Sequence, residues 1–229
     1  GPNVTNMYSA YDNCQNLTGS PVCGDKVTSL YQAYEDCYKL IGSPVCKNNV
    51  TDMRRAYSGC TGLTGSPVCG PNVNTMSGTY DNCTRLTGSP VCGVNVTDMD
   101  YTYVNCSNLT GKPVCGDKIK SFSGTYDGCT KLTGPAICGP NVTKIANTYA
   151  NCPNLSSNAY FFSNNITSAS KCFYGRNTSK RLNLYVPANS KTLNTCLIDT
   201  SAKSLTGTSI IWTNAVAAIG CHYNATQNI

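Results

Sequence analysis

The chain has 229 residues, enough for one sizeable domain or two small ones. Only 12% of them are charged while 40% are hydrophobic, so the surface must be built mainly from Thr, Ser, Asn, Gly and Tyr. The formal charge of +6 sits mostly in the tail: residues 1–152 carry 11 basic and 10 acidic side chains, residues 153–229 carry 6 and 1. The basic stripe with interleaved aromatics expected of a nucleic-acid binder is missing, and so is a run of 18 apolar residues able to span a membrane. The group Lys171, Arg176, Lys180 and Arg181 reads as a solvated face.

The chain opens inside a repeat. Gly1-Pro-Asn-Val4 returns at 70–73 and 139–142, so these residues read as native repeat and the chain reads as a piece of a longer polypeptide. The unit is 23 residues long and its clearest part is Cys14-x2-Leu17-Thr-Gly-Ser-Pro-Val-Cys23-Gly24. Copies end at Cys46, Cys69, Cys92, Cys115 (with Lys112 in place of Ser) and Cys138. Tyrosine recurs at Tyr11, Tyr34, Tyr57, Tyr80, Tyr103, Tyr126 and Tyr149. Leucine recurs from Leu17 to Leu155, valine from Val22 to Val114 and then Ile137, and a second valine column runs from Val4 to Val142. A fifth column begins Met7, Leu30, Met53. A repeat of this length cannot bury its apolar face alone and must stack on its copies, so all five columns are expected to form the core.

Within a unit, Val27-x2-Leu30-x3-Tyr34 places apolar residues at i, i+3 and i+7, which predicts one or two helical turns. Residues 17–22 suit a short strand, paired in parallel with its copies about 4.8 Å away. Pro21 and its copies lack a ladder donor at the same rung of every coil, so the sheet is expected to be short. The pattern loosens after Cys152. Ile166 to Phe173 reads as an eighth, modified coil. Residues 181–187 and 209–213 read as strands by their β-branched and aromatic content, and residues 174–229 fit the atypical cap that closes a repeat array, with Trp212 in its core.

Sixteen cysteines are many for a chain of this length. Thirteen form two columns: Cys14, Cys37, Cys60, Cys83, Cys106, Cys129 and Cys152 before the strand, and Cys23, Cys46, Cys69, Cys92, Cys115 and Cys138 after it. There is no Cys-x2-Cys pair and one histidine, His222, so a zinc cage is not expected. Adjacent coils bring like cysteines within the Cα window of a disulfide. Stacked free thiols are the expected state of the first column; for the second, bridges and free thiols both stay open.

Twelve Asn-x-Ser/Thr triplets, at Asn3, Asn16, Asn49, Asn82, Asn95, Asn105, Asn108, Asn141, Asn154, Asn165, Asn177 and Asn224, follow from the repeat's own Asn-Val-Thr composition rather than marking glycans. Asp12, Glu35, Asp81 and Asp127 share a column, but Ser58, Val104 and Ala150 interrupt it, which argues against a calcium ladder. His222 has no identifiable partner, and no pairing of base and nucleophile stands out. No catalytic residue, metal ligand or cofactor site is expected.

The string Asn3-Val-Thr-Asn-Met7-x3-Tyr11-x2-Cys14-x2-Leu17, with copies such as Asn49-Val-Thr-Asp-Met53-x3-Tyr57-x2-Cys60-x2-Leu63, resembles the BspA-type leucine-rich repeat over about residues 1–173. The Gly-Ser-Pro-Val-Cys-Gly ending departs from that family's usual strand. The tail, with Cys172-Phe-Tyr-Gly-Arg and Arg181-Leu-Asn-Leu-Tyr-Val-Pro187, is similar to those that follow such repeats in proteins of gut bacteria and their phages. The resemblance implies an α/β repeat solenoid of seven or eight coils over 1–173, each a short parallel strand plus a short helical turn, with a β-rich cap over 174–229. It implies an extracellular, cell-surface or virion protein that binds a host-surface glycan or protein and catalyses nothing. The polar face that would do so comprises Thr18, Ser20, Pro21, Ser43, Thr64, Ser66, Thr87, Ser89 and Thr110. The alternative is a structural spacer or filament subunit that self-associates through its open first coil. Neither nucleic acid nor membrane insertion is expected.

Overall fold

A computed structural model describes residues 2–175 and 182–187, and the backbone of 208–213. Successive 23-residue units lie one upon the next. Parallel bridges join Asn6 to Ser29, Ser29 to Asp52, and so on through Thr75, Asp98, Ser121, Lys144 and Ser168.

The expected helical turn is absent: no helix occurs among the described residues. A helix is about 10 Å across, and one per coil could not repeat every 4.8 Å or so without splaying the coils apart. The segment instead alternates its backbone bonds. The N–H groups of Leu30, Gln32, Tyr34 and Asp36 donate to the carbonyls of Asp52, Arg54, Ala56 and Ser58 in the next coil, at 2.7–3.0 Å. Those of Ala33, Glu35 and Cys37 close tight turns onto Leu30, Gln32 and Tyr34. Two columns of positive φ hold these turns: Ser9, Gln32, Arg55, Gly78, Tyr101, Gly124, Asn147 and Asn13, Asp36, Gly59, Asn82, Asn105, Gly128, Asn151. Gly and Asn recur there because a left-handed residue with a larger side chain costs about 1–2 kcal/mol.

On the opposite side no strand forms in the coils that carry Pro21, Pro44, Pro67, Pro90 and Pro113. The sheet has four parallel strands in the order β1 (Ala136–Cys138), β2 (Asn158–Phe161), β3 (Leu182–Pro187) and β4 (Thr208–Thr213). β1 is the first coil in which Ala136 replaces the proline of Pro21, Pro44, Pro67, Pro90 and Pro113. The residue with an N–H to donate restores the ladder, as the proline rule requires. β3 and β4 lie in the two tail segments expected to be strands, and β3 pairs with β2 from Asn158↔Asn183 to Tyr160↔Tyr185. Of the other tail features, Arg176, Lys180, Arg181, Asp199, Asn177, Asn224 and His222, with the side chain of Trp212, lie outside the described residues.

The tyrosine, leucine, methionine and Val4-type columns form the core from the second coil onward. Seven tyrosines and Phe173 stack in one file, ring centroids 5.1–5.8 Å apart and planes within 16°. The Val22 column is a correction: Val22 is 63% exposed and Val45, Val68, Val91 and Val114 are half-buried, while Pro21, Pro44, Pro67, Pro90 and Pro113 are buried in their place. The tyrosine hydroxyl explains the inversion. Tyr34 Oη donates to the Val22 carbonyl at 2.7 Å and accepts from the Val22 N–H at 3.0 Å. The same pair of bonds ties Tyr57 to Val45, Tyr80 to Val68, Tyr103 to Val91 and Tyr126 to Val114. The valine backbone thus faces inward, leaving the Val22 side chain exposed and those of the later coils half-buried. Proline has no N–H to satisfy, so its ring can occupy the interior without an orphaned donor.

Candidate functional site

The surface outside the suppressed strand carries a strip of hydroxyls. Thr18, Ser20, Ser43, Thr64, Ser66, Thr87, Ser89 and Thr110 are all exposed and recur at the same two positions of successive coils. Pro21, expected among them, is buried and does not belong to the strip. Ile41 interrupts the threonine file and is 51% exposed, and Lys112 ends the serine file. Sequence spacing alone missed that the valines two residues after each serine are exposed at Val22 and half-buried at Val45, Val68, Val91 and Val114. The proline was the available signal: its missing donor marks the face turned away from solvent and the ladder.

Close approach of the coils builds the strip. Thr64, Thr87 and Thr110 donate their N–H groups to Gly42, Gly65 and Gly88 of the preceding coil at 2.8–3.1 Å. Gly88 has φ +82°, and a Cβ on it would fall inside van der Waals contact with Ser66 Oγ. The serine hydroxyl occupies space that only glycine leaves open. The two hydroxyl files differ in use. Thr87 Oγ1 donates to the Thr64 carbonyl at 2.8 Å and Thr110 Oγ1 to the Gly88 carbonyl at 3.2 Å. Ser20, Ser43, Ser66 and Ser89 make no side-chain hydrogen bond to any described residue and keep their full donor and acceptor capacity for an external partner.

Charges lie elsewhere and are largely absorbed within the stack. Lys26, Lys39, Lys118 and Lys131 donate to Asn3, Asn16, Asn95 and Asn108 of the preceding coil at 2.5–3.0 Å. Asn49, Asn95, Asn141 and Asn154 donate to carbonyls 24 residues back. Asn residues of the triplets thus have inter-coil bonding roles. Of the acidic column, Glu35 is buried and paired with Arg55, while Asp81 has one buried oxygen without a partner and burial pushes its carboxyl up. Among the described residues, no three His, Cys, Asp or Glu side chains converge on a point that could hold a metal. A second surface feature lies on the turn side: the Tyr8 and Tyr31 rings are 5.1 Å apart, and the Arg54 guanidinium lies 4.6 Å over Tyr31. Its sequence signal was the recurrence of Tyr8 after one repeat.

The fourteen described cysteines are free, and the thirteen in the two columns fall into two chemical classes. In the first column each thiol from Cys37 to Cys152 donates to the carbonyl of the tyrosine 26 residues back, at 2.9–3.0 Å. Burial pushes these thiols up, Cys37 to about 11 and Cys152 to about 12. Cys14, in the first coil, is exposed. In the second column the thiols face a carbonyl of their own chain segment at 3.5–3.9 Å, longer than the bonds of the first column, and the Gly139 N–H donates to Cys115 Sγ at 3.2 Å.

No protein-family model, curated protein or solved structure matches the chain.

Proposed function

We propose that the chain is a non-enzymatic recognition module, a leucine-rich-repeat-type solenoid carried on a cell or virion surface or secreted, whose hydroxyl strip meets a host-surface ligand. One observation carries this reading: Ser20, Ser43, Ser66 and Ser89 repeat in register on an exposed face with no internal hydrogen bond. Such a face suits a glycan, whose hydroxyls need donors and acceptors in rows. The near-neutral charge of residues 1–152 disfavours a phosphate backbone as the partner. A glycan array combined with host-cell binding tests the proposal. Saturable binding to a defined glycan or surface protein is expected; absence of binding on both overturns it.

A further inference from the structure

We propose that Asp81 is a proton-operated latch within the stack: as a carboxylate it loosens the fourth coil, residues 70–92, and on taking up a proton it lets that coil close. One column of the repeat shows why this position stands apart. Glu35, Asp81 and Asp127 occupy the same place in different coils. Glu35 is buried, but it accepts from Gln32 Nε2 at 2.6 Å and is paired with Arg55. Asp127 Oδ1 accepts from Asn151 Nδ2 at 2.8 Å. Asp81 Oδ1 is buried without a partner, the sole such side-chain oxygen or nitrogen among the described residues. The repeat thus satisfies a carboxylate here in two coils and leaves it unsatisfied in one. A buried acceptor with no donor is costly, and more so when it carries a charge.

The surroundings do not offset that cost. The ionisable groups around Asp81 are Glu35, Asp36 and Arg55 from the two preceding coils, with the thiols of Cys83 in its own coil and Cys106 in the next. Only Arg55 is cationic, and its guanidinium is committed to Glu35. The equivalent residues of the adjacent coils are Ser58, which is buried, and Val104, which is half-buried; neither carries a charge. Burial is the main cause that holds the Asp81 carboxyl above its ordinary value of 3.8. Arg55 pulls the other way, while Asp36 and Glu35 add to the rise.

Asp81 also sits where coils are tied together. Its carbonyl accepts from the Gly59 N–H at 2.7 Å, and the Asn82 N–H donates to the Val104 carbonyl at 2.8 Å. Opening these bonds lets the carboxylate reach water. In a stack whose units contact only their neighbours, local opening is the way such a cost is released. The sign is fixed by linkage. The folded chain holds the proton more tightly than the unfolded chain, so the stability this group contributes is complete below 3.8 and is lost as pH rises through the folded value. The proton comes from solvent, and no bond between heavy atoms forms or breaks.

The test removes the charge at every pH. Asp81→Val copies the residue that the next coil carries at this place, and Asp81→Asn keeps the shape. Urea unfolding followed by circular dichroism compares both with the wild type from neutral pH into acid. Each variant should have the higher urea midpoint at neutral pH, and the advantage should close as pH falls and vanish below 3.8. The difference between chains is read, because the Glu35–Arg55 pair responds to acid in all of them alike. Amide exchange locates the effect: Gly59 and Asn82 should exchange faster in the wild type than in Asp81→Val at neutral pH, and equally in acid. An advantage that does not change with pH, lower midpoints of both variants at neutral pH, or equal exchange of these two amides there overturns the proposal. Should neither variant fold, carbon-13 NMR of the wild-type carboxyls replaces them: Asp81 titrating above 3.8 is expected, and titration at or below that value overturns the proposal.

Discussion

Replacing Tyr80 with phenylalanine isolates the interaction that turns the Val-Cys segment outward. The ring keeps its place between Tyr57 and Tyr103, 5.8 and 5.5 Å away, so stacking and apolar burial are preserved. The hydroxyl is lost, and with it the 2.8 Å bond to the Val68 carbonyl and the 3.0 Å bond from the Val68 N–H. Both backbone groups face the interior, and proline next to them offers no substitute. Two lost bonds at about 1 kcal/mol each, with an added penalty for groups left unsatisfied, give about 2–3 kcal/mol. For a chain of this size that lowers Tm by about 4–12 °C. Tyr11→Phe is the internal control, because the Tyr11 hydroxyl has no hydrogen-bond partner among the described residues and its substitution should fall within about 0.5 kcal/mol of neutral. Urea and thermal unfolding followed by circular dichroism measure both. Equal stability of the two variants would refute the stapling role of the hydroxyl. Phe173 continues the file from Tyr149 and stacks in turn on Phe161 of β2.

Ser9 sits at φ 47°, so Ser9→Gly should stabilise by about 1 kcal/mol; Gly59→Ala, at φ 73° and pressed on Asp36, should cost more than that. A right-handed geometry at these positions would leave both changes near neutral in urea titrations. Native-state thiol labelling followed by mass spectrometry should modify Cys14 first, then the half-buried second column, while Cys60, Cys83, Cys106 and Cys129 react only on unfolding. Early labelling of Cys83 would contradict the thiol-to-carbonyl bond. Alkaline stability follows from burial: thiols with an ordinary value of 9.0 are pushed to about 11 at Cys46 and about 12 at Cys69 and Cys115, and Tyr34 from 10.0 to about 12. Because folded values exceed unfolded ones, this contribution is complete below pH 9 and disappears as pH rises toward 12. The urea midpoint should fall steeply across that window, with tyrosinate absorbance appearing together with unfolding; a flat midpoint through pH 12 would refute it.

The repeat length, the ring file, four of the five apolar columns and the short sheet were legible in the sequence, because each depends on burial repeated at a fixed spacing. The turn segment was not. Apolar residues at i, i+3 and i+7 satisfy a helix and a chain of turns equally, and what separates them is the Gly and Asn content of two columns that also holds Ser9, Gln32, Arg55 and Tyr101. The Val22 column misled for a related reason. Hydrophobicity says valine belongs inside, yet the tyrosine hydroxyl claims the valine backbone and proline fills the interior. At the candidate site the exposed serines were legible as a polar column, whereas their freedom from internal bonds, unlike Thr87 and Thr110, depends on geometry between coils.

The most direct measurement compares ligand binding by two folded variants on the same glycan array and host cells. One carries Ser43→Glu, Ser66→Glu and Ser89→Glu on the strip; the other carries Thr61→Glu, Thr84→Glu and Thr130→Glu elsewhere on the coils. Loss of binding by the strip variant alone, at least tenfold, is the predicted result. Equal binding by both, or loss confined to the second variant, would contradict the assignment of the hydroxyl strip as the recognition face.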